Sequence, residues 1–512
     1  MARNTRWAEY ATIAALTLLY LLLPTRNSTL DAWYYAACVR HGHELLLAHH
    51  LLYNAAGWLW YSALQTAGPV DALAALKVLN ALAAGASLLV VLRLLRLLTP
   101  PGSTHWPWLL LVGSSFGVLR FATENEAYVQ PLLLSLLASL AWVRYQLSAQ
   151  QSRHLVGAGL WAALACLFHQ IHFFWWLGLL LGTVWYAPAR VRSLLAYALP
   201  ALLVPAAYLA ALAYWQEPLT GRALWRFVFH DYYAGTAGGS VSGYGLLLTG
   251  VNLGRTFLQV HGSTLALLRL YPALLAVVGV FMGLLGYAGL LLGRSFQVRI
   301  RQPGTPMMVV PMAAIIRTHG LVLGLHLLFA TYSEGNAEFM VMVPALAVLI
   351  ACPSLPWLSS RAVAATALGV LSWNLAFGVV PAHRLRITNT ESLLVRIRRE
   401  PASWFLLDNH NLVLNQLHYY SGQAVAPPNV LPMPTLLVRR PGQSPARLRR
   451  WLRAQHHAGC RVFTDGLGGP QLLDRAQVVV GNQNARLLQG FHTTKVDSFP
   501  TAFGPYYLTE IQ

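Results

Sequence analysis

Residues 45–66 read LLLAHHLLYNAAGWLWYSALQT, and whether this apolar stretch crosses a bilayer decides the direction of every later segment. About 20 apolar residues are enough to span, so length alone leaves both answers open. The arginines choose between them. With Arg3 and Arg6 in the cytoplasm and 45–66 laid along the outer interface, the inward gaps carry Arg93 and Arg96, Arg144 and Arg153, Arg190 and Arg192, Arg294 with Arg299 and Arg301, and Arg361. Counting 45–66 as a span would move Arg93 and Arg96 outside and reverse every later gap, against the bias that keeps basic loops cytoplasmic. Trp58, Trp60 and Tyr61 also suit a headgroup-level position.

Apolar runs extend from this stretch in both directions, near 8–24, 70–97, 107–123, 127–147, 155–170, 172–187, 192–214, 263–292, 306–331, 337–353 and 362–380. They predict an all-α polytopic domain of about eleven transmembrane helices over residues 1–380. It sits in the cytoplasmic (inner) membrane with a cytoplasmic N-terminus. Outer loops fall at 25–69 and 215–262; the second holds the stretch Gly235 to Gly245 and Trp225, Tyr232, Tyr233 and Tyr244.

Composition agrees. Of 512 residues 56% are hydrophobic and 10% charged, where a soluble protein carries roughly 25% charged residues. That deficit excludes a soluble enzyme, a disordered chain and a coiled coil. The net charge of +19, from 36 Lys and Arg against 17 Asp and Glu, would suggest nucleic acid in a soluble protein. Here the basic residues lie in short gaps and in the last third, a pattern that sets topology and favours anionic lipid surfaces; no nucleic-acid partner is expected. Cys38, Cys166, Cys352 and Cys460 are isolated and give neither a zinc site nor a disulfide framework. The basic start before an apolar run has no small-residue cleavage site after Leu23 and reads as an uncleaved first span.

Residues 381–512 turn polar and predict a small extracytoplasmic α/β domain. Trp404 to Asp408 reads as a strand, Leu412 to Tyr420 as a helix, Thr435 to Val438 as a strand, and Pro445 to His457 as a basic helix stopped by Gly459 ahead of a strand at Arg461 to Thr464. It contains no phosphate-binding glycine motif.

Ionisable groups in or just above a bilayer are costly and need a reason. Asp31 follows the first span with Tyr34 and Tyr35 at i+3 and i+4, sharing a helical face with it. It is either a functional carboxylate or a helix-start acid, a task Ser28 or Thr29 can perform alone. His41, His43, Glu44, His49, His50 and Tyr53 follow. His41 and His43 read as solvated; His49 and His50 serve equally as phosphate donors, proton carriers or surface groups. Thr123-Glu124-Asn125-Glu126 closes the third span on the same outer side, either as a plain polar turn or as site carboxylates. His169 and His172 stand beside Trp175 and Trp176 at another outer turn. An HxxH pair alone is weak evidence for metal, and the tryptophans read as interfacial anchors. Glu334 and Glu338 mark a further outer turn, and Lys77 and Asn80 lie in the outer half of the second span. There Lys77 either snorkels or neutralises a lipid phosphate.

These features in order resemble the GT-C class of integral-membrane glycosyltransferases, which includes protein mannosyltransferases and bacterial aminoarabinose transferases. Asp31 stands after the first span, Ala48-His49-His50-Leu-Leu-Tyr53 resembles the class's His-Pro segment, Lys77 comes early in the second span, and Glu124 to Glu126 follow the third. Leu407-Asp-Asn-His and His418-Tyr-Tyr-Ser-Gly422 resemble the outer domain some members carry. The sequence departs from the class in lacking the proline after the histidine and in having Lys77 where arginine is common. The resemblance implies transfer of a sugar from a polyprenyl-phosphate carrier to a hydroxyl of a glycan, lipid or protein acceptor on the outer face, with inversion. It implies Asp31 as base, Glu124 as its assistant and Glu126 as the lesser partner. His49, His50 and Lys77 then meet the leaving phosphate, with Tyr53, His169 and His172 lining the substrate. Some members use a divalent metal and others do not; no tightly bound metal or other cofactor is expected. A transporter or flippase is the alternative, though the spans show no matched halves with broken helices. An assembly scaffold with a binding tail is a third reading.

Overall fold

The computed structural model describes residues 2–148, 151–234, 238–260, 263–301, 310–423, 425–468 and 475–512; Gly235 and residues 306–309 of an expected span lie outside them. Among the described residues six helices are long and apolar enough to cross a membrane: Ala72–Leu98, Arg190–Tyr214, Leu274–Ile300, Pro311–Tyr332, Ala337–Ser354 and Ser360–Arg384. On Leu274–Ile300 only 11% of the apolar window is buried, with Leu275, Val280, Met282 and Leu290 exposed. A face that apolar is suited to lipid, not water. The chain is an integral membrane protein.

The other expected spans fall on Ala2–Leu22, Val129–Leu147, Ser152–Phe168 and Phe173–Tyr186, and on a pair of helices, Trp106–Ser114 and Phe116–Ala122, divided at Ser115. Within 45–66 the regular helix is Tyr53–Gln65, 13 residues or about 20 Å long, against a hydrocarbon core of about 30 Å.

The chain divides into two units. The first comprises Met1–Pro24, Glu44–Gln259 and Leu275–Val379. Its Ala72–Leu98 helix starts at Asp71, whose carboxylate accepts from Ala74 N at 2.9 Å, satisfying one of the amides a helix start leaves open. Gly178 and Gly182 let the Phe173–Tyr186 helix approach the Val310–Tyr332 helix. A Cβ at either would lie 2.4–2.5 Å from Val322 or Thr318, the small-xxx-small packing typical of membrane helices. Asn374 joins three segments, donating to Ser114 O and Phe257 O and accepting from Gln259 N, each at 2.8 Å. A second knot forms at Glu9, which takes Arg96 at 2.5 Å and His105 at 2.6 Å.

The second unit comprises Thr25–His43, Val260–Leu274 and Val380–Gln512. Its sheet contains β1 (Trp404–Leu407), β2 (Val430–Pro432), β3 (Val462–Thr464), β4 (Thr493–Thr501) and β5 (Gly504–Ile511) in the order β2-β1-β3-β5-β4. β1 runs parallel to β2 and β3, and β5 runs antiparallel to β3 and β4. Alternation along the strands buries both faces. Phe405, Leu407 and Phe463 pack with Leu393, Ile397, Val413 and Leu417, while Leu406, Val462 and Ile511 pack with Leu448, Leu452 and Leu488. The Leu30–His41 helix, started by Thr29 accepting from Ala32 N, packs on the His410–Ser421 helix. The Trp33 ring meets Tyr419 at 5.1 Å, and Asn415 donates to Leu30 O at 2.9 Å.

One expected strand is a helix: Thr435 to Val438 lies in Pro434–Val438. Proline at a first helical position loses no hydrogen bond, because that amide is unpaired anyway, and the strand instead occupies Val430–Pro432. The expected helix over Pro445–His457 is present, and Gly459 follows it at φ +74°.

At the carboxyl ends of β1 and β3, Asp465 is buried, accepts from the Tyr506 hydroxyl, and accepts from Asp408 N at 2.7 Å. Burial pushes its carboxyl up to about 7, outweighing the Tyr506 hydrogen bond. An unfolded aspartate titrates near about 3.9. The folded unit therefore holds an extra proton between those values, so this contribution is full below about 4 and lost as pH rises towards 7. Asp465→Asn removes that dependence. The difference in unfolding midpoint between wild type and variant, followed in full-length protein from pH 4 to pH 8, is expected to shift against the wild type until near neutrality and then level. A pH-independent difference would contradict this assignment.

Candidate functional site

A carboxylate can sit among apolar helices when both its charge and its backbone find partners. In the first unit the turn Thr123 to Glu126 meets both conditions on the Ala72–Leu98 helix. Lys77 Nζ lies 3.6 Å from Glu124 Oε1, with both side chains under a tenth exposed. One turn on, fully buried Asn80 donates to Glu124 O and Glu126 O at 2.8 Å each and accepts from Gln130 at 3.1 Å. Glu124 also accepts from Asn125 N at 2.9 Å. Tyr53 enters from the Tyr53–Gln65 helix, its hydroxyl donating to Asn125 Oδ1 at 2.6 Å. Lys77, Glu124, Glu126 and Tyr53 are thus brought together.

The histidines form an adjoining layer. His50 and His169 meet edge to face at 4.4 Å, with Tyr53 at 6.5 Å from His50 and Tyr128 at 5.1 Å from His169. Burial, followed by neighbouring His49, pushes His50 down to about 3. It is therefore a neutral donor near neutral pH, and Lys77 is left to supply positive charge. His172 lies deeper, its Nδ1 2.7 Å from Ser135 Oγ and its ring 6.0 Å from His326.

His49 is occupied differently. Its Nε2 lies 2.5 Å from Asp231 Oδ2, and His230 approaches the same carboxylate at 3.2 Å. Although burial raises the Asp231 carboxyl, the His49 hydrogen bond holds it below the usual range. Asp231 carries no sequence signal beyond an acid beside a histidine in a long loop. Gln170 and Glu338 are likewise placed by folding. Gln170 Nε2 donates to Ala48 O, Tyr208 and Val228 O within 3.1 Å, while Glu338 takes Tyr128 at 3.1 Å and Arg120 at 3.5 Å.

Trp175 is no interfacial anchor: it is buried and donates to Ser139 Oγ at 2.9 Å, because the Phe173–Tyr186 helix turns this residue inward. His41 is not simply solvated either. In the second unit its Nε2 lies 3.0 Å from Tyr419 O and its ring stacks near His418. Asp31 belongs to that unit too, half-buried in the first turn of the Leu30–His41 helix, while Thr29 performs the capping. Among the described residues no group of three or more His, Cys, Asp or Glu side chains is placed to hold a metal ion.

No protein-family model and no curated protein sequence matches the chain. Among solved structures it is similar to ArnT from Cupriavidus metallidurans bound to undecaprenyl phosphate, at a TM-score of 0.49 and 11% identity over 100% of this chain and 98% of that one. It is similar to the archaeal oligosaccharyltransferase AglB from Archaeoglobus fulgidus in complex with an inhibitory peptide and a dolichol-phosphate, at 0.46 and 11% over 98% and 74% of the two chains. It is also similar to the Archaeoglobus fulgidus oligosaccharyltransferase in complex with Zn and sulfate, at 0.45 and 12% over 96% and 73%.

The buried ion pair gives a direct expectation. Removing one partner strands the other charge at a cost of about 3–5 kcal/mol, whereas removing both is nearly neutral. Lys77→Met is expected to lower the unfolding midpoint sharply, and Lys77→Met with Glu124→Gln to recover most of the loss. Strictly additive effects would show that the two groups are not coupled.

Proposed function

We propose that the chain is a membrane glycosyltransferase that takes a sugar from a polyprenyl-phosphate donor and passes it, with inversion, to an acceptor hydroxyl at the outer face of the cytoplasmic membrane. The observation that carries this reading is the buried Lys77–Glu124 pair adjoining the His50–His169 layer. It combines a fixed cation, a carboxylate and neutral imidazole donors beside an interfacial helix. A soluble-sugar pocket has no need of an outer membrane layer; a lipid phosphate does.

In the proposed reaction the acceptor oxygen attacks the anomeric carbon, the bond from that carbon to the phosphate oxygen breaks, and polyprenyl phosphate leaves. Asp31 takes the acceptor proton; its assignment rests on its position after the first span. Glu124 orients the acceptor and stabilises the positive charge developing on the sugar, with Glu126 secondary. Lys77 answers the charge of the leaving phosphate, and His49 and His50 donate to its oxygens. Tyr53, His169 and His172 bound the sugar. The acceptor is a glycan, lipid or protein hydroxyl. About eleven spans over 1–380, a cytoplasmic N-terminus, outer loops 25–69 and 215–262 and an extracytoplasmic domain over 381–512 belong to the same proposal.

One observation favours a second reading, a transporter or flippase. Ser135 and Ser139 contact His172 and His319, and Trp142 donates to Thr183, all buried between helices. Such a polar line inside an apolar bundle is where a transported solute would pass.

A positioned general base is worth about 10²–10⁴ in rate. Asp31→Asn is expected to reduce transfer from a polyprenyl-phosphate sugar by that factor while expression and unfolding midpoint stay at wild-type values. Undiminished transfer by a well-folded variant would remove Asp31 from the mechanism.

A further inference from the structure

The loop after the Leu203–Tyr214 helix forms an eight-residue helix, Gly221–Val228, with Thr220 Oγ1 accepting from Ala223 N at 3.2 Å. Its apolar residues Leu224, Phe227 and Val228 pack against Leu51, Leu167, Tyr208 and Ala211, and Gln170 donates to Val228 O at 2.9 Å. This anchoring leaves Arg222 and Arg226, at i and i+4 on one helical face, exposed.

A cavity of about 500 Å³ opens there, with Leu212, Ala223 and Phe227 on its apolar wall and Arg222, Arg226 and His230 supplying polar groups. Glu217 also lines it, so two guanidiniums and an imidazole face one carboxylate. Among the described residues no acid lies within ion-pair distance of either arginine. Asp231 is held by His49 at 2.5 Å and by His230 Nδ1 at 3.2 Å, which leaves Nε2 as the His230 group for a ligand. Leu219 and Trp225 on the same segment are 63% and 58% exposed, the amphipathic pairing of a helix that lies in a membrane interface.

We propose that this cavity binds the phosphate headgroup of an anionic phospholipid. Arg222 and Arg226 bind its oxygens, His230 adds a donor, and the acyl chains run along Leu219 and Trp225. Paired guanidiniums match phosphate geometry, and the apolar wall selects a phosphate carried on a hydrocarbon. The cavity lining includes neither Lys77 nor Glu124, and the proposal does not depend on the transferase reading.

The test is native mass spectrometry of full-length protein released from detergent with equal phosphatidylglycerol and phosphatidylcholine, and in a separate arm with inorganic phosphate. Wild type is expected to retain phosphatidylglycerol with about 30-fold preference, the factor given by two arginines at an anionic lipid surface. In R222Q/R226Q that preference collapses, in R222K/R226K most of it remains, and in R447Q/R450Q, an equal loss of charge on the basic Pro445–His457 helix, it is unchanged. The lysine variant keeps the charge and so separates binding from folding. An undiminished preference in R222Q/R226Q, an equal loss in R447Q/R450Q, or displacement of the lipid by inorganic phosphate at equal concentration would each overturn the proposal.

Discussion

The acidic turn at Glu124 to Glu126 is buried in an apolar bundle, and it stays there because Lys77 and Asn80 lie one turn apart on one helix. Lys77 meets the charge and Asn80 meets two backbone carbonyls. Without Asn80 each carbonyl would lose this hydrogen bond, worth about 0.5–1.5 kcal/mol. Tyr53 and Gln130 then attach to the same knot, directly or through one amide. Polar groups so fully committed have little freedom to move, and such rigidity is what a group-transfer site demands of its first contacts.

The histidine layer solves a related problem. A neutral His50 beside His169 carries donors without adding a second buried charge, and the cation that meets Glu124 is a lysine already paired in the resting protein. In the proposed reaction, the donor phosphate would compete with Glu124 for Lys77.

Much of the central knot was legible because bilayers make ionisable residues conspicuous: Lys77, Asn80, Glu124, Glu126 and His50 stand out against apolar neighbours. The partners that arrive from far along the chain were not. Asp231 reaches His49, and Glu338 reaches Tyr128, through folds of loops that carry no periodicity. Trp175 misled because aromatic residues near a span end usually favour the interface, whereas here Ser139 supplies an interior partner. Basic helix Pro445–His457 was plain from its stop at Gly459, but Thr435 to Val438 is too short for periodicity to separate strand from helix, and Pro434 decided it. The β4–β5 hairpin gave no alternation clear enough to read, since β4 is largely exposed.

The account is tested most directly by following the fate of a labelled sugar on polyprenyl phosphate when full-length protein is reconstituted in liposomes with candidate hydroxyl acceptors. It predicts that label becomes covalently bound to an acceptor and that unglycosylated polyprenyl phosphate accumulates in equal amount. Movement of intact donor between leaflets, with no label leaving its phosphate, would contradict it and favour the transporter reading.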